Sequence, residues 1–205
     1  MEAGDNNGAA AVFIDLEKRF PNSQYKAAAL LAAGRCYFQL DQFGPAIQRL
    51  QPLAGGNTVE AIEAGYWLGR TYLKDKKPQQ AVDALNTVLQ SIKQGPLAKV
   101  VNDAKAAGDS GPLAFVPHVE MTRIDALYEL PEQRKATVAL YDAFDTANPK
   151  HALAPQAVYM SALASLGESD HAGARQRSER FLANQDAMFT GSDLVPAVLY
   201  IAAEG

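Results

Sequence analysis

Leu30-Leu-Ala-Ala-Gly34-Arg-Cys-Tyr37 and Gly65-Tyr-Trp-Leu-Gly69-Arg-Thr-Tyr72 decide how this chain folds. In each, an anchoring glycine is followed at once by arginine and three residues later by tyrosine. Twelve residues past the glycines stand Ala46 and Ala81, and sixteen past them stand Leu50 and Leu85. The pattern recurs after 35 residues, a period typical of stacked helix–turn–helix units. The missing side chain at Gly34 and Gly69 lets a first helix press against its neighbour. Tyr37 and Tyr72 follow one turn later on the same face. Ala46 and Ala81 are small where a second helix crosses the first, and Leu50 and Leu85 close the core. The intervening loops, Asp41-Gln-Phe-Gly-Pro45 and Asp75-Lys-Lys-Pro78, end in prolines suited to the first turn of a helix.

The pattern resembles the tetratricopeptide repeat family. Ala9, Phe13 and Pro21 have the spacing of a second helix with its terminating proline. The phrase Leu16-Glu-Lys-Arg-Phe-Pro21-Asn-Ser23 is similar to the repeat junctions of bacterial cell-envelope members, such as the outer-membrane assembly lipoprotein and the Tol–Pal-associated coordinator type. The resemblance implies an all-α fold, a right-handed superhelical α-solenoid of antiparallel helix pairs. It also implies a protein or peptide partner. A bacterial periplasmic or envelope location rests on that junction alone, and a cytoplasmic one is equally compatible with it.

Working outward, residues 1–8 read as a flexible leader and 9–205 as one repeat domain. Within it lie a half-repeat (9–22), two clear repeats (24–58 and 59–93), an insertion (94–118), two degenerate repeats (119–150 and 152–187) and a terminal helix (194–204). In the first degenerate repeat Asp125 replaces the glycine, and Ala136 and Leu140 are expected to carry the core after a loop one residue shorter. In the second, Ala162 and Leu166 precede the turn Gly167-Glu-Ser-Asp170, and Ser178 stands where leucine is expected. In the insertion, Gln94-Gly-Pro96 and Asp109-Ser-Gly-Pro112 bracket Leu97, Val100, Val101 and Ala104 at helical spacing, which predicts a short extra helix. Insertions in solenoids gather on one face, often the binding face. The last helix carries Leu194, Val195, Val198, Leu199 and Ile201 around most of its circumference. It is expected to seek burial on more than one side, through further repeats of a longer chain or through a homodimer.

The composition suits this reading. Of 205 residues, 48% are hydrophobic and 20% charged, enough for a core. The net charge of −4 comes from 19 basic and 23 acidic residues without a basic patch, so a nucleic-acid partner is not expected. No apolar stretch reaches the roughly 18 residues that a transmembrane helix needs. One cysteine, Cys36, excludes an internal disulfide and a cysteine-rich zinc site. It reads as a small packed residue beside Tyr37.

No catalytic, metal or cofactor constellation emerges. His118, His151 and His171 lie far apart, and none forms the i, i+4 pair of a helical zinc motif. Gly55-Gly56 matches no phosphate loop and reads as a linker. The residues that stand out are Arg35 and Arg70, one period apart. The family resemblance puts first helices along the concave groove, and with them Arg35, Phe38, Tyr66, Trp67, Arg70 and Lys74. Trp, Tyr and Arg dominate binding hot spots, and two stacked guanidinium groups could hold a peptide carboxylate. Alternatively, the arginines pair with Glu60 or Glu63 and merely solubilise the groove. The function expected is that of a non-enzymatic binding module or scaffold without cofactors. Self-association through apolar ends, or an accessory role in a larger enzyme, are the alternatives.

Overall fold

The computed structural model describes residues 5–111 and 113–205. Residues 1–4 of the expected leader lie outside them. The described residues form an all-α protein with these helices in order: α1 (Asn6–Arg19), α2 (Lys26–Gln39), α3 (Phe43–Ala54), α4 (Glu60–Lys74), α5 (Pro78–Gln94), α6 (Pro96–Ala107), α7 (Val116–Tyr128), α8 (Arg134–Ala147), α9 (Ala154–Gly167), α10 (His171–Ala183), α11 (Ala187–Thr190) and α12 (Val195–Glu204). They fall into two compact units, Met1–Ala126 and Leu127–Gly205.

In the first unit each of α1 to α5 packs on the next, and α2 also packs on α4. Three-residue turns join α2 to α3 and α4 to α5, and so short a link folds each pair back antiparallel. Ala46, Leu50, Ala81 and Leu85 are completely buried. The glycines sit directly over the leucines. A Cβ on Gly34 would come within 2.6 Å of Leu50 side-chain atoms, and one on Gly69 within 2.7 Å of Leu85. A further contact of this kind joins Gly65 to Val88, at 2.6 Å. The close helix approach expected from the glycines is therefore real, and its counterpart is the residue sixteen places on.

The second unit follows the same rule with different residues. Here α9 packs on α8, α10 and α12, and α12 packs on α10. Ala162 takes the anchor position, and Ala174 and Ser178, twelve and sixteen residues on, are completely buried. In this repeat a larger anchor than glycine goes with a smaller residue than leucine sixteen places on. Ser178 Oγ donates to the Ala174 carbonyl at 2.9 Å, so the hydroxyl that replaces leucine is satisfied.

The turns repeat as well. Seven residues past the anchors, Asp41, Lys76 and Ser169 adopt left-handed backbone with φ of 58°, 59° and 62°. The next amides, of Gln42, Lys77 and Asp170, each donate to a carbonyl five residues back, Tyr37, Tyr72 and Ser165, at 2.9 Å. This is a Schellman-type helix end, built three times without glycine.

Three expectations change. Helix α1 begins at Asn6, inside the expected leader, because the Asp5 carboxylate accepts the Gly8 amide at 2.8 Å and caps it. In the first degenerate repeat α8 buries Thr137 and Tyr141 completely, and Phe144 a turn on, while Ala136 is exposed and Leu140 partly so. Counted from Asp125, these are again twelve and sixteen residues on. The spacing holds and the loop has not shortened; the core residues have changed type. Helix α12 buries Val198 and Ile201, yet Leu199 and Tyr200 remain 53% and 64% exposed, so its apolar circumference is covered on one side only. Short α11, which delivers Phe189 to the core beside Phe181, has no periodic signal in the sequence.

Alanine substitutions should separate packed from free glycines. Gly34→Ala and Gly69→Ala should each cost about 1–3 kcal/mol through overpacking. Gly44→Ala, with nothing within 4 Å of the added carbon, should instead stabilise by roughly 0.5–1 kcal/mol. Denaturant melts of the three variants check this.

Candidate functional site

Anchor glycines at one period place Arg35 and Arg70 on equivalent faces of α2 and α4, which pack against each other. Helical spacing adds Phe38 one turn beyond Arg35, Trp67 and Tyr66 one turn before Arg70, and Lys74 one turn after it. All six residues singled out in the sequence meet in one surface ledge. The Phe38 and Trp67 ring centroids are 5.3 Å apart, and those of Tyr66 and Trp67 are 5.0 Å apart.

The cations lie over these rings. The Arg35 guanidinium sits 5.4 Å from the Trp67 ring. The Arg70 guanidinium lies 5.4, 5.7 and 5.8 Å from Phe38, Tyr66 and Trp67. Lys74 Nζ is 5.1 Å from the Phe38 ring. Cation–π attraction of this kind is worth about 0.5–1 kcal/mol at exposed sites.

The three cations differ in their partners. Arg35 pairs with Glu63 at 3.3 Å, and the same Glu63 oxygen accepts the Trp67 indole N–H at 3.0 Å. Lys74 pairs with Asp41, the left-handed residue of the preceding turn. Arg70 donates to the Tyr66 hydroxyl at 2.8 Å and has no carboxylate among the described residues. The two arginines therefore do not act as a matched pair. Glu63 occupies Arg35, as the solubilising alternative allows, and neither Glu60 nor Glu63 occupies Arg70.

The expected list was short by two residues. Phe115 and His118, from the end of the insertion and the start of α7, join Tyr66 at ring distances of 5.6 and 5.3 Å and lie 5.7 Å from each other. The signal for them was the inserted segment itself, as a candidate contributor to a binding face. Beside Phe115 opens a cleft of about 290 Å³, lined by Val59, Glu60, Glu63, Asp109 and Gly111 as well. A second cleft, of about 400 Å³, opens among α3, α4 and α5 over Leu68, Tyr72 and Val88, away from the arginines.

Cys36 lies between Arg35 and Tyr37, half-buried. Burial pushes its thiol above the usual range, and neighbouring Arg35 offsets this only in part. A thiol kept protonated is a poor nucleophile.

Residues 63–91 match the tetratricopeptide repeat family. The match covers α5 up to Ser91 and nearly all of α4, the helix that carries Tyr66, Trp67, Arg70 and Lys74. Repeats of this family generally mediate protein–protein interaction. No curated protein matches the chain.

Outside this ledge, the densest polar cluster lies in the second unit. Arg177 donates to Asp142 at 2.7 and 3.1 Å and to Ser161 Oγ at 2.8 Å, and Ser161 donates to Asp142 at 2.7 Å. Arg180 joins Asp145 to the group at 3.3 Å. These groups satisfy one another and tie α8, α9 and α10 together, so the cluster reads as structural.

Trp67 is the only tryptophan, so it reports on the ledge without labelling. Glu63→Ala should shift its emission and raise its quenching by acrylamide, while stability falls by about 1–2 kcal/mol, because the Glu63 side chain is only 20% exposed and its loss leaves the indole N–H without its acceptor. Unchanged fluorescence would show that the indole–carboxylate bond does not form in solution.

Proposed function

We propose that α2 and α4 form the docking surface for a peptide segment of a protein partner, with Arg70 as the carboxylate anchor. The carrying observation is that Arg70 is held among three aromatic rings and has no carboxylate partner among the described residues. A guanidinium ordered before binding loses less entropy when a partner arrives. Its free edge suits bidentate pairing with an acidic side chain or a chain terminus. Phe38, Tyr66 and Trp67 supply the rigid contact area found in binding hot spots. Arg35 and Lys74, already paired, shape the ledge rather than bind the anion. In this reading the chain is an interaction module, without catalysis or cofactor. The Leu16–Ser23 junction is compatible with a bacterial envelope and with a cytoplasmic setting alike, and the reading of the ledge does not depend on it.

Random-peptide display on the full chain, followed by Trp67 fluorescence titration of enriched peptides, tests this. Arg70→Ala should weaken binding on the order of tenfold, the 1.4 kcal/mol expected of a charged hydrogen-bonding anchor. Arg35→Ala should have a smaller effect. Enriched peptides that bind Arg70→Ala as tightly as the unaltered chain would sink the reading.

A further inference from the structure

We infer that the inserted segment completes this surface by forming a side-chain pocket for an arginine of the same partner, between Phe115 and Val59 over the carboxylates of Glu60 and Asp109. The inference rests on the docking role of α2 and α4 and adds to it the chemistry of the partner.

The pocket joins the ledge at Glu63, which lines the cleft and also holds Arg35 and Trp67. One chain segment can therefore touch both. Its sides are apolar: Val59 is 51% exposed, and the Phe115 ring is held in place by Tyr66 and His118. At about 290 Å³ it lies at the bottom of the range for clefts that bury a whole small ligand, and a single long side chain suits it better.

Charge selects the occupant. Arg35 neutralises Glu63, whereas Glu60 and Asp109 have no cationic partner among the described residues. The Asp109 side chain accepts the Gly111 amide at 2.9 Å, which fixes it at the rim. Cations are thus wanted in the cleft, while an anion is wanted at Arg70. Guanidinium is favoured over ammonium because it is planar, stacks on an aromatic face and donates to two carboxylates at once. Glu60 and Arg70 are ten residues apart on α4, roughly 15 Å along the axis at about 1.5 Å per residue. An extended peptide advances ~3.3 Å per residue. The partner's arginine then sits about four or five positions from its acidic residue.

Peptides selected from the same display library on the full chain provide the test. The expected result is an arginine enriched at that spacing from the acid. Glu60→Gln with Asp109→Asn should abolish the enrichment and weaken arginine peptides about tenfold, leaving the dependence on Arg70 intact. Phe115→Ala changes no charge, so it separates the pocket from general attraction between an acidic chain and basic peptides. It should weaken arginine peptides by at least threefold and lysine versions less, with thermal melts confirming that the variant stays folded. Acid-dependent peptides without arginine enrichment, or an arginine preference indifferent to Phe115→Ala, or equal preference for lysine, would each overturn the pocket while leaving the Arg70 anchor standing. Peptides that ignore Arg70, or no enriched peptide at all, would overturn the anchor and the pocket together.

Discussion

The contact between a glycine on one helix and a large side chain sixteen residues later is the constraint on which the rest depends. Gly34 over Leu50 and Gly69 over Leu85 leave no room for even a methyl group. This close approach sets how each helix pair seats, and the seating sets which faces of α2 and α4 remain for solvent and partner. Where the anchor is alanine, the buried residue sixteen places on is Ser178. At the glycine and alanine anchors combined volume is kept, as expected for interiors packed to crystal-like density; the Asp125 repeat, with Tyr141 sixteen places on, keeps the spacing and not the volume.

The ledge follows from this geometry. A residue next to a packed glycine must point to the edge of the interface, so Arg35 and Arg70 emerge on one side in register. One turn away on the same faces come the rings, close enough to hold the guanidinium groups. The chain supplies Glu63 to one arginine and Asp41 to the lysine, and among the described residues it supplies no carboxylate to Arg70. Ion pairs this exposed contribute little to stability; their effect is to fix side chains that would otherwise sample many rotamers.

Much of this was legible because the repeat is written in spacing as much as in residue type. The six ledge residues were found from the period, helical geometry and a family resemblance, and the structure brings all six together. The first degenerate repeat was misread where hydrophobicity was trusted over spacing: Ala136 and Leu140 look like core residues, yet Thr137 and Tyr141 keep the register. Partner choice within the ledge was not legible. Whether Glu63 serves Arg35, Arg70 or neither is decided by angstrom-scale rotamer packing. Phe115 and His118 were missed for another reason. The insertion that ends in them obeys no period, so its return to Tyr66 is a tertiary event. Helix α11, at four residues, is too short to show a periodicity.

A double-mutant cycle between Gly69→Ala and Leu85→Ala tests the packing rule most directly. If the glycine exists to admit the leucine, Gly69→Ala should lose most of its cost once Leu85 is truncated, giving a coupling energy of at least ~1 kcal/mol between two residues in contact. Strictly additive costs would mean that the two positions do not share the same space, and the rule relating anchor to partner would be wrong.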